Sequence, residues 1–63
     1  MTVEDVLEGG LIDDNTVLFI RDSEFHVLAR GNWYQDSILK YLQREVKSFT
    51  WQADKKFYID LKP

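Results

Sequence analysis

The segment TVLFIRDSEFHVLAR, residues 16–30, predicts a β-hairpin. Its strands run from Thr16 to Arg21 and from Glu24 to about Arg30, and they join near Asp22-Ser23. Positions 17–20 are all apolar, and successive side chains of a strand point to opposite faces, so both faces of the hairpin carry apolar groups. Since a chain of 63 residues has little material to cover two faces, the second face needs an explanation.

The register of this hairpin depends on the length of its loop. A two-residue loop pairs Arg21 with Glu24 and Leu18 with Val27, which joins opposite charges and apolar groups. Asp-Ser is not an ideal type I′ pair, so a longer loop stays open. In this register the two faces consist of Leu18, Ile20, Phe25 and Val27, and of Val17, Phe19 and Leu28 beside His26.

A short helix is predicted before the hairpin. Thr2 is a suitable N-cap, the first turn is acidic, and Gly9-Gly10 ends the helix because glycine adopts the left-handed conformation easily. Asp13-Asp14-Asn15 then predicts a turn held by side chain to backbone hydrogen bonds. The apolar face of this helix consists of Val3, Val6 and Leu7.

A second, amphipathic helix is predicted after the hairpin. Asn32 or Asp36 can cap it, Tyr41 lies at the edge of its apolar stripe, and it is expected to end near Gln43 or Arg44. The stripe consists of Ile38, Leu39 and Leu42.

A second hairpin closes the sequence. From Glu45 the apolar period is two, and a final strand runs from Phe57 to Leu61. For the aromatic residues of both strands to share an inward face, Trp51 must lie opposite Ile59, which requires an odd loop such as Asp54-Lys55-Lys56. The outward, polar face consists of Ser48, Thr50, Gln52, Tyr58, Asp60 and Lys62.

The order of elements is therefore α-β-β-α-β-β, which is typical of an α+β fold. We expect one domain over residues 1–63, with a four-stranded antiparallel sheet of two hairpins, a short N-terminal helix and one amphipathic helix packed on the sheet. The order of the hairpins in the sheet stays open. The expected free energy of unfolding is roughly 3 to 9 kcal/mol for a chain of this size.

Two covers are possible for the second face of the first hairpin. A second copy of the chain could pack there, because an exposed apolar patch usually marks an interface. The N-terminal segment could cover it instead, since its apolar side chains would gain about 1.5 to 3 kcal/mol each on burial. This favours a monomer over a homodimer, through Val3, Val6, Leu7, Leu11 and Ile12.

Composition favours a cytoplasmic protein. The chain has no cysteine, so it has neither disulfides nor thiolate metal ligands. No signal peptide and no apolar segment long enough to span a membrane is recognised. The net charge of −3 weakens the case for nonspecific binding to nucleic acid.

No set of residues predicts a catalytic, cofactor or metal site. His26, the only histidine, has no recognisable nucleophile or orienting partner, and we expect it to be a half-exposed strand residue. The acidic turn at 13–15 lacks the glycine and distal glutamate of a calcium loop, and the ligands for zinc are too few. Gly9-Gly10 follows a helix, whereas a phosphate loop precedes one.

Two features could suggest nucleic-acid binding. Trp51 and Tyr58 resemble an aromatic platform for bases, but the expected register sends Trp51 inward and leaves Tyr58 alone. A small basic patch could also form, although a solvated helix face explains its residues equally well: Lys40, Arg44 and Lys47.

The segments TVEDVL, DDNTVLFIRD, LARG, DSIL, REVKSFTW and FYIDL, taken in order, resemble small uncharacterised proteins of phages and prophages of Gram-positive bacteria. The resemblance covers nearly the whole chain. It implies a leader helix, an acidic turn, two hairpins around a brief helix, and a location in the host cytoplasm. It implies no established activity and no functional residue.

We therefore expect a non-enzymatic protein-interaction module, such as a phage or prophage accessory protein that binds a host or phage protein. No cofactor is expected, and the sequence does not indicate the binding surface. The alternative is a nucleic-acid-binding accessory protein.

Overall fold

The computed structural model describes residues 1–63 and has the predicted order of elements. The predicted α+β class is confirmed, with two short helices and a four-stranded sheet. Neither helix is long or apolar enough to cross a membrane. The elements are α1 (Val3–Glu8), β1 (Val17–Arg21), β2 (Val27–Gly31), α2 (Asp36–Leu39), β3 (Val46–Ala53) and β4 (Lys56–Leu61).

The sheet is mixed, so the prediction of an antiparallel sheet is wrong. Its strand order is β2-β1-β4-β3, and each hairpin is antiparallel within itself. The two hairpins meet through β1 and β4, which run parallel with Leu18 beside Phe57 and Ile20 beside Ile59. All four of these side chains are buried. The central position of β1 and β4 therefore removes the most apolar strands from water and leaves β2 and β3 as edges.

Both helices pack on the same face of the sheet. Val3 and Val6 of α1 and Ile38 of α2 belong to one buried cluster with the inward side chains of β1 and β4. The N-terminal helix thus covers the core face, and the expectation that it covers the second face of the first hairpin is wrong. The buried apolar residues are Val3, Val6, Leu18, Ile20, Ala29, Ile38, Val46, Phe57, Ile59 and Leu61.

Helix α1 begins and ends as predicted. Thr2 and Asp5 form a capping box, in which the Asp5 N–H donates to the Thr2 hydroxyl and the Thr2 N–H donates to the Asp5 carboxylate. Gly10 follows the helix with a φ of 81°. The Val3 N–H donates to the carbonyl of Arg44 at 3.0 Å, so a donor that the first helical turn leaves free is satisfied by the chain after α2.

The longer loop is the correct alternative for the first hairpin. The chain turns through residues 22–26, and Arg21 pairs with Val27 rather than Glu24. The Asp22 carboxylate accepts hydrogen bonds from the N–H groups of Glu24 and His26, both at 2.9 Å, which holds the wider loop. Phe25 adopts a φ of 68° in it. Phe25 and Val27 are exposed, not buried beside Ile20.

Helix α2 is shorter than predicted. It ends at Leu39, and its N-cap is Gln35, so Asn32 and Asp36 do not cap it. The chain continues to Arg44 in tight turns, in which each bond closes after three residues. In this segment the carbonyls of Leu42 and Arg44 accept hydrogen bonds from the N–H groups of Glu4 and Val3, both at 3.0 Å.

The second hairpin has the predicted faces but a different register. Trp51 lies opposite Phe57, two residues from the predicted partner Ile59. A tight turn at residues 54–55 and an irregularity between Trp51 and Ala53 replace the three-residue loop. A two-residue turn alone would set Trp51 opposite Tyr58. The extra residue in β3 between Trp51 and Ala53 shifts the pairing by one position, so Trp51 stays on the same face as Phe57.

Candidate functional site

The two edges of the sheet differ in what lies beside them. The edge strand β2 has a partner in the fold, since the Ser37 hydroxyl donates to the carbonyl of Arg30 at 3.2 Å and α2 lies next to the strand. The edge strand β3 pairs with β4, and at its start the N–H of Val46 also donates to the carbonyl of Met1 at 2.7 Å. Seven of its eight residues are exposed. Beyond Val46, the outer edge of β3 therefore presents backbone N–H and C=O groups that no other strand satisfies.

From Ser48 to Ala53, β3 lacks two of the usual sequence features that protect an edge strand. Ser48–Ala53 contains no charge and no proline, whereas natural edges commonly carry lysine or proline. Register irregularities occur at both ends of the strand, between Val46 and Ser48 and between Trp51 and Ala53. The regular ladder that remains is Ser48–Trp51, in the middle of the strand.

Two exposed aromatic side chains lie along this edge on the core side of the sheet. Phe49 is 38% exposed and Trp51 is 42% exposed. Their rings contact the buried ring of Phe57, with centroid distances of 5.5 and 4.8 Å. Trp51 also lines an open depression with residues 52–54 at the end of the hairpin. The prediction that Trp51 points inward is correct for its face but wrong for its burial, because β3 lies at the edge.

The opposite surface of the sheet, here called the open face, has no helix on it. Its centre is a pair of half-buried rings, Phe19 and Tyr58, stacked at a centroid distance of 4.6 Å with an interplanar angle of 9°. The face consists of Val17, Phe19, Arg21, Arg30, Ser48, Thr50, Lys56, Tyr58 and Asp60.

A buried ion pair connects the two central strands on the open face. Arg21 donates from Nε to Asp60 Oδ1 at 2.6 Å and from Nη2 to Asp60 Oδ2 at 3.0 Å. Asp60, predicted to face water, is only 4% exposed. The Arg21 guanidinium also lies 4.5 Å from the ring centroid of Tyr58 and 5.0 Å from that of Phe25. The second face of the first hairpin is thus covered in part by side chains of β4, since Asp60 binds Arg21 and Tyr58 stacks on Phe19.

The open face is basic although the chain is acidic. Arg30 pairs with Phe19 in the sheet and Lys56 pairs with Val17, so both side chains belong to this face. Lys47 lies over the ring of Phe25, with its Nζ 5.9 Å from the centroid. None of these three cations forms an ion pair. The basic patch that the sequence left open does not bring Lys40 and Lys47 together, because Lys40 lies over Tyr41 on the other side of the sheet.

The prediction that His26 is a strand residue is wrong, because His26 lies in the exposed loop of the first hairpin. Its ring Nδ1 is 3.2 Å from the Asp22 carboxylate and 3.9 Å from that of Glu24. The N–H of His26 is the main reason why the pKa of Asp22 lies below its usual value. These contacts hold the loop, and no hydroxyl is bonded to the ring.

The acidic turn is confirmed. The Asp13 carboxylate accepts hydrogen bonds from the N–H of Asn15 at 2.9 Å and from the hydroxyl of Thr16 at 3.1 Å. The first of these bonds contributes most to lowering the pKa of Asp13. Asp14 accepts a hydrogen bond from the Trp33 indole at 2.7 Å, a contact that sequence reasoning missed. No group of three or more histidine or acidic side chains is arranged to hold a metal ion.

Comparison of the chain with family models, with curated proteins and with solved structures gives no match. The resemblance to phage proteins therefore stays a prediction.

Proposed function

We propose that the protein is a non-enzymatic interaction module that binds an extended segment of a partner protein along the outer edge of β3. The observation that carries this proposal is the combination of an unpaired, uncharged edge at Ser48–Ala53 with the exposed rings of Phe49 and Trp51. Addition of a strand to a free sheet edge is a common mode of peptide recognition.

The two parts of the site have different roles in this mode. Main-chain hydrogen bonds to the edge contribute about 0.5 to 1.5 kcal/mol each and accept many sequences. The side chains beside the edge select among them: an apolar residue of the partner would pack on Phe49 and Trp51, and a polar or acidic one would lie near Thr50 and Lys47. The partner segment is therefore expected to alternate between apolar and polar residues.

The resemblance to phage proteins makes a host or phage protein the expected partner. The absence of cysteine supports a cytoplasmic location for the complex.

Affinity purification from host lysate tests the proposal with a matched pair of variants. Trp51→Lys places a charge beside the edge of β3, where it disfavours strand addition. Leu28→Lys changes a residue of similar exposure, 40%, on the other edge strand and serves as the control. We expect a protein captured by the wild type and by Leu28→Lys to be lost with Trp51→Lys, while both variants melt as folded proteins. Equal capture by both variants would contradict the proposal.

Binding of single-stranded nucleic acid on the open face is the second candidate, and the unpaired cations Arg30, Lys47 and Lys56 favour it. The stacked rings of Phe19 and Tyr58 oppose it, because they face each other and Arg21 lies against Tyr58. Bases stack on free ring faces. Fluorescence anisotropy with a labelled oligonucleotide tests this: binding that falls with salt and with Arg30→Glu would support the alternative.

A further inference from the structure

We infer that the β3 edge also pairs with β3 of a second copy of the chain, antiparallel and with the two-fold axis at Thr50. This inference rests on the proposed binding edge, and it names a second copy as an occupant of that edge. The surface is the edge of β3. The preference for a monomer in the sequence analysis concerned another surface, the second face of the first hairpin.

The pattern of faces limits the possible registers. Directly opposite residues of an antiparallel pair lie on the same face of the sheet, so the aromatic side of one β3 must meet the aromatic side of the other. With Thr50 opposite Thr50, Phe49 of each copy lies opposite Trp51 of the other. A shift of two residues in either direction leaves only one like pair, Phe49 with Phe49 or Trp51 with Trp51. The register at Thr50 is the one that pairs all four rings.

The polar residues agree with the same register. In this register Ser48 lies opposite Gln52 of the second copy, so two uncharged polar residues meet where the regular ladder ends. Lys47 precedes this segment and Asp54 follows it, and an antiparallel pair brings opposite ends together. Each end of the interface therefore has one cation and one anion, and neither Lys47 nor Asp54 has an ion-pair partner within its own chain.

The irregularities at the two ends of β3 limit the strength of this dimer. They confine the regular ladder to Ser48–Trp51, which gives a small interface, in the class of transient complexes below roughly 1,200 Å². We expect a concentration-dependent dimer that occupies the edge when no partner is present. A partner segment that binds β3 must then displace the second copy, so self-association and partner binding compete.

Sedimentation velocity of the full chain across a wide range of concentration tests the inference. The wild type and Leu28→Lys are expected to shift from monomer to dimer as the concentration rises, and Trp51→Lys is expected to stay monomeric. Lys47→Glu and Asp54→Lys should each weaken the dimer several-fold, because each places like charges at both ends. The double variant with both changes should restore it.

A wild type that is monomeric throughout, or a dimer insensitive to Trp51→Lys and to the charge changes, would overturn the inference. These outcomes are separate from the test of the proposed function. A monomeric wild type whose partner is still lost with Trp51→Lys removes the inference alone. A Trp51-dependent dimer that captures no partner removes the proposed function alone.

Discussion

Removal of either member of the Arg21–Asp60 pair is expected to destabilise the fold strongly, but by different amounts. The Asp60 side chain is 5% exposed and that of Arg21 is 18% exposed. Asp60→Ala leaves a guanidinium that still contacts Tyr58 and Phe25 and reaches water, so we expect a loss of about 3 kcal/mol, the lower end for a broken buried pair. Arg21→Met leaves a more deeply buried carboxylate, and we expect a loss of up to about 5 kcal/mol.

Urea unfolding followed by circular dichroism measures these losses by linear extrapolation. The double variant Arg21→Met/Asp60→Leu is the critical control, because it replaces both charges by apolar groups of similar volume. It should be close to the wild type in stability, since no buried charge is left unpaired. A loss below about 1 kcal/mol for Asp60→Ala would place the pair among surface ion pairs and refute the reasoning. A double variant as unstable as the single ones would refute it as well.

Four further predictions concern single features of the fold. Trp51→Ala should cost about 1 to 2 kcal/mol in urea unfolding, because the ring is only partly buried against Phe57; a loss of 3 to 5 kcal/mol would indicate the full burial expected from the sequence. Gly31→Ala should lower the free energy of unfolding by about 1 to 3 kcal/mol, since Gly31 has a φ of 154°. Gly9→Ala is the control: Gly9 has an ordinary helical conformation, so this variant should melt near the wild type. A chain beginning at Asp13 lacks α1 and should unfold or associate, as light scattering would reveal; a folded monomer would contradict this. The pKa of the Asp13 carboxyl is lowered from 3.8 in the folded state. The ionised carboxylate therefore stabilises the fold fully above pH 3.8, and this stabilisation is lost as the pH falls through the lower folded pKa. Asp13→Asn should accordingly reduce the loss of melting temperature in acid.

The features predicted correctly are those that local sequence determines. The N-cap at Thr2, the turn at Asp13 and the alternation of β3 and β4 each depend on residues within a few positions of one another. The early end of α2 was not predicted, and the chain after Leu39 instead makes hydrogen bonds with α1, a segment distant in sequence.

The candidate site was missed for a related reason. Period-two patterning correctly assigns Trp51 to the apolar face, but a side chain on that face is buried only if another element lies over it. Whether β3 is an edge depends on the parallel pairing of β1 with β4, which two consecutive hairpins do not reveal. An uncharged, proline-free run at Ser48–Ala53 was the one available signal. It becomes informative only when the strand order is known.

The parallel pairing of β1 with β4 has a consequence for the way the protein opens and closes. Val17 and Lys56 are neighbours in the sheet although most of the chain separates them, so neither hairpin can form a stable unit before the other is present. Amide hydrogens of the two central strands should then exchange only by global unfolding, whereas those on the outer edge of β3 should exchange by local opening. The edge can thus rearrange around an incoming strand while the centre of the sheet stays closed.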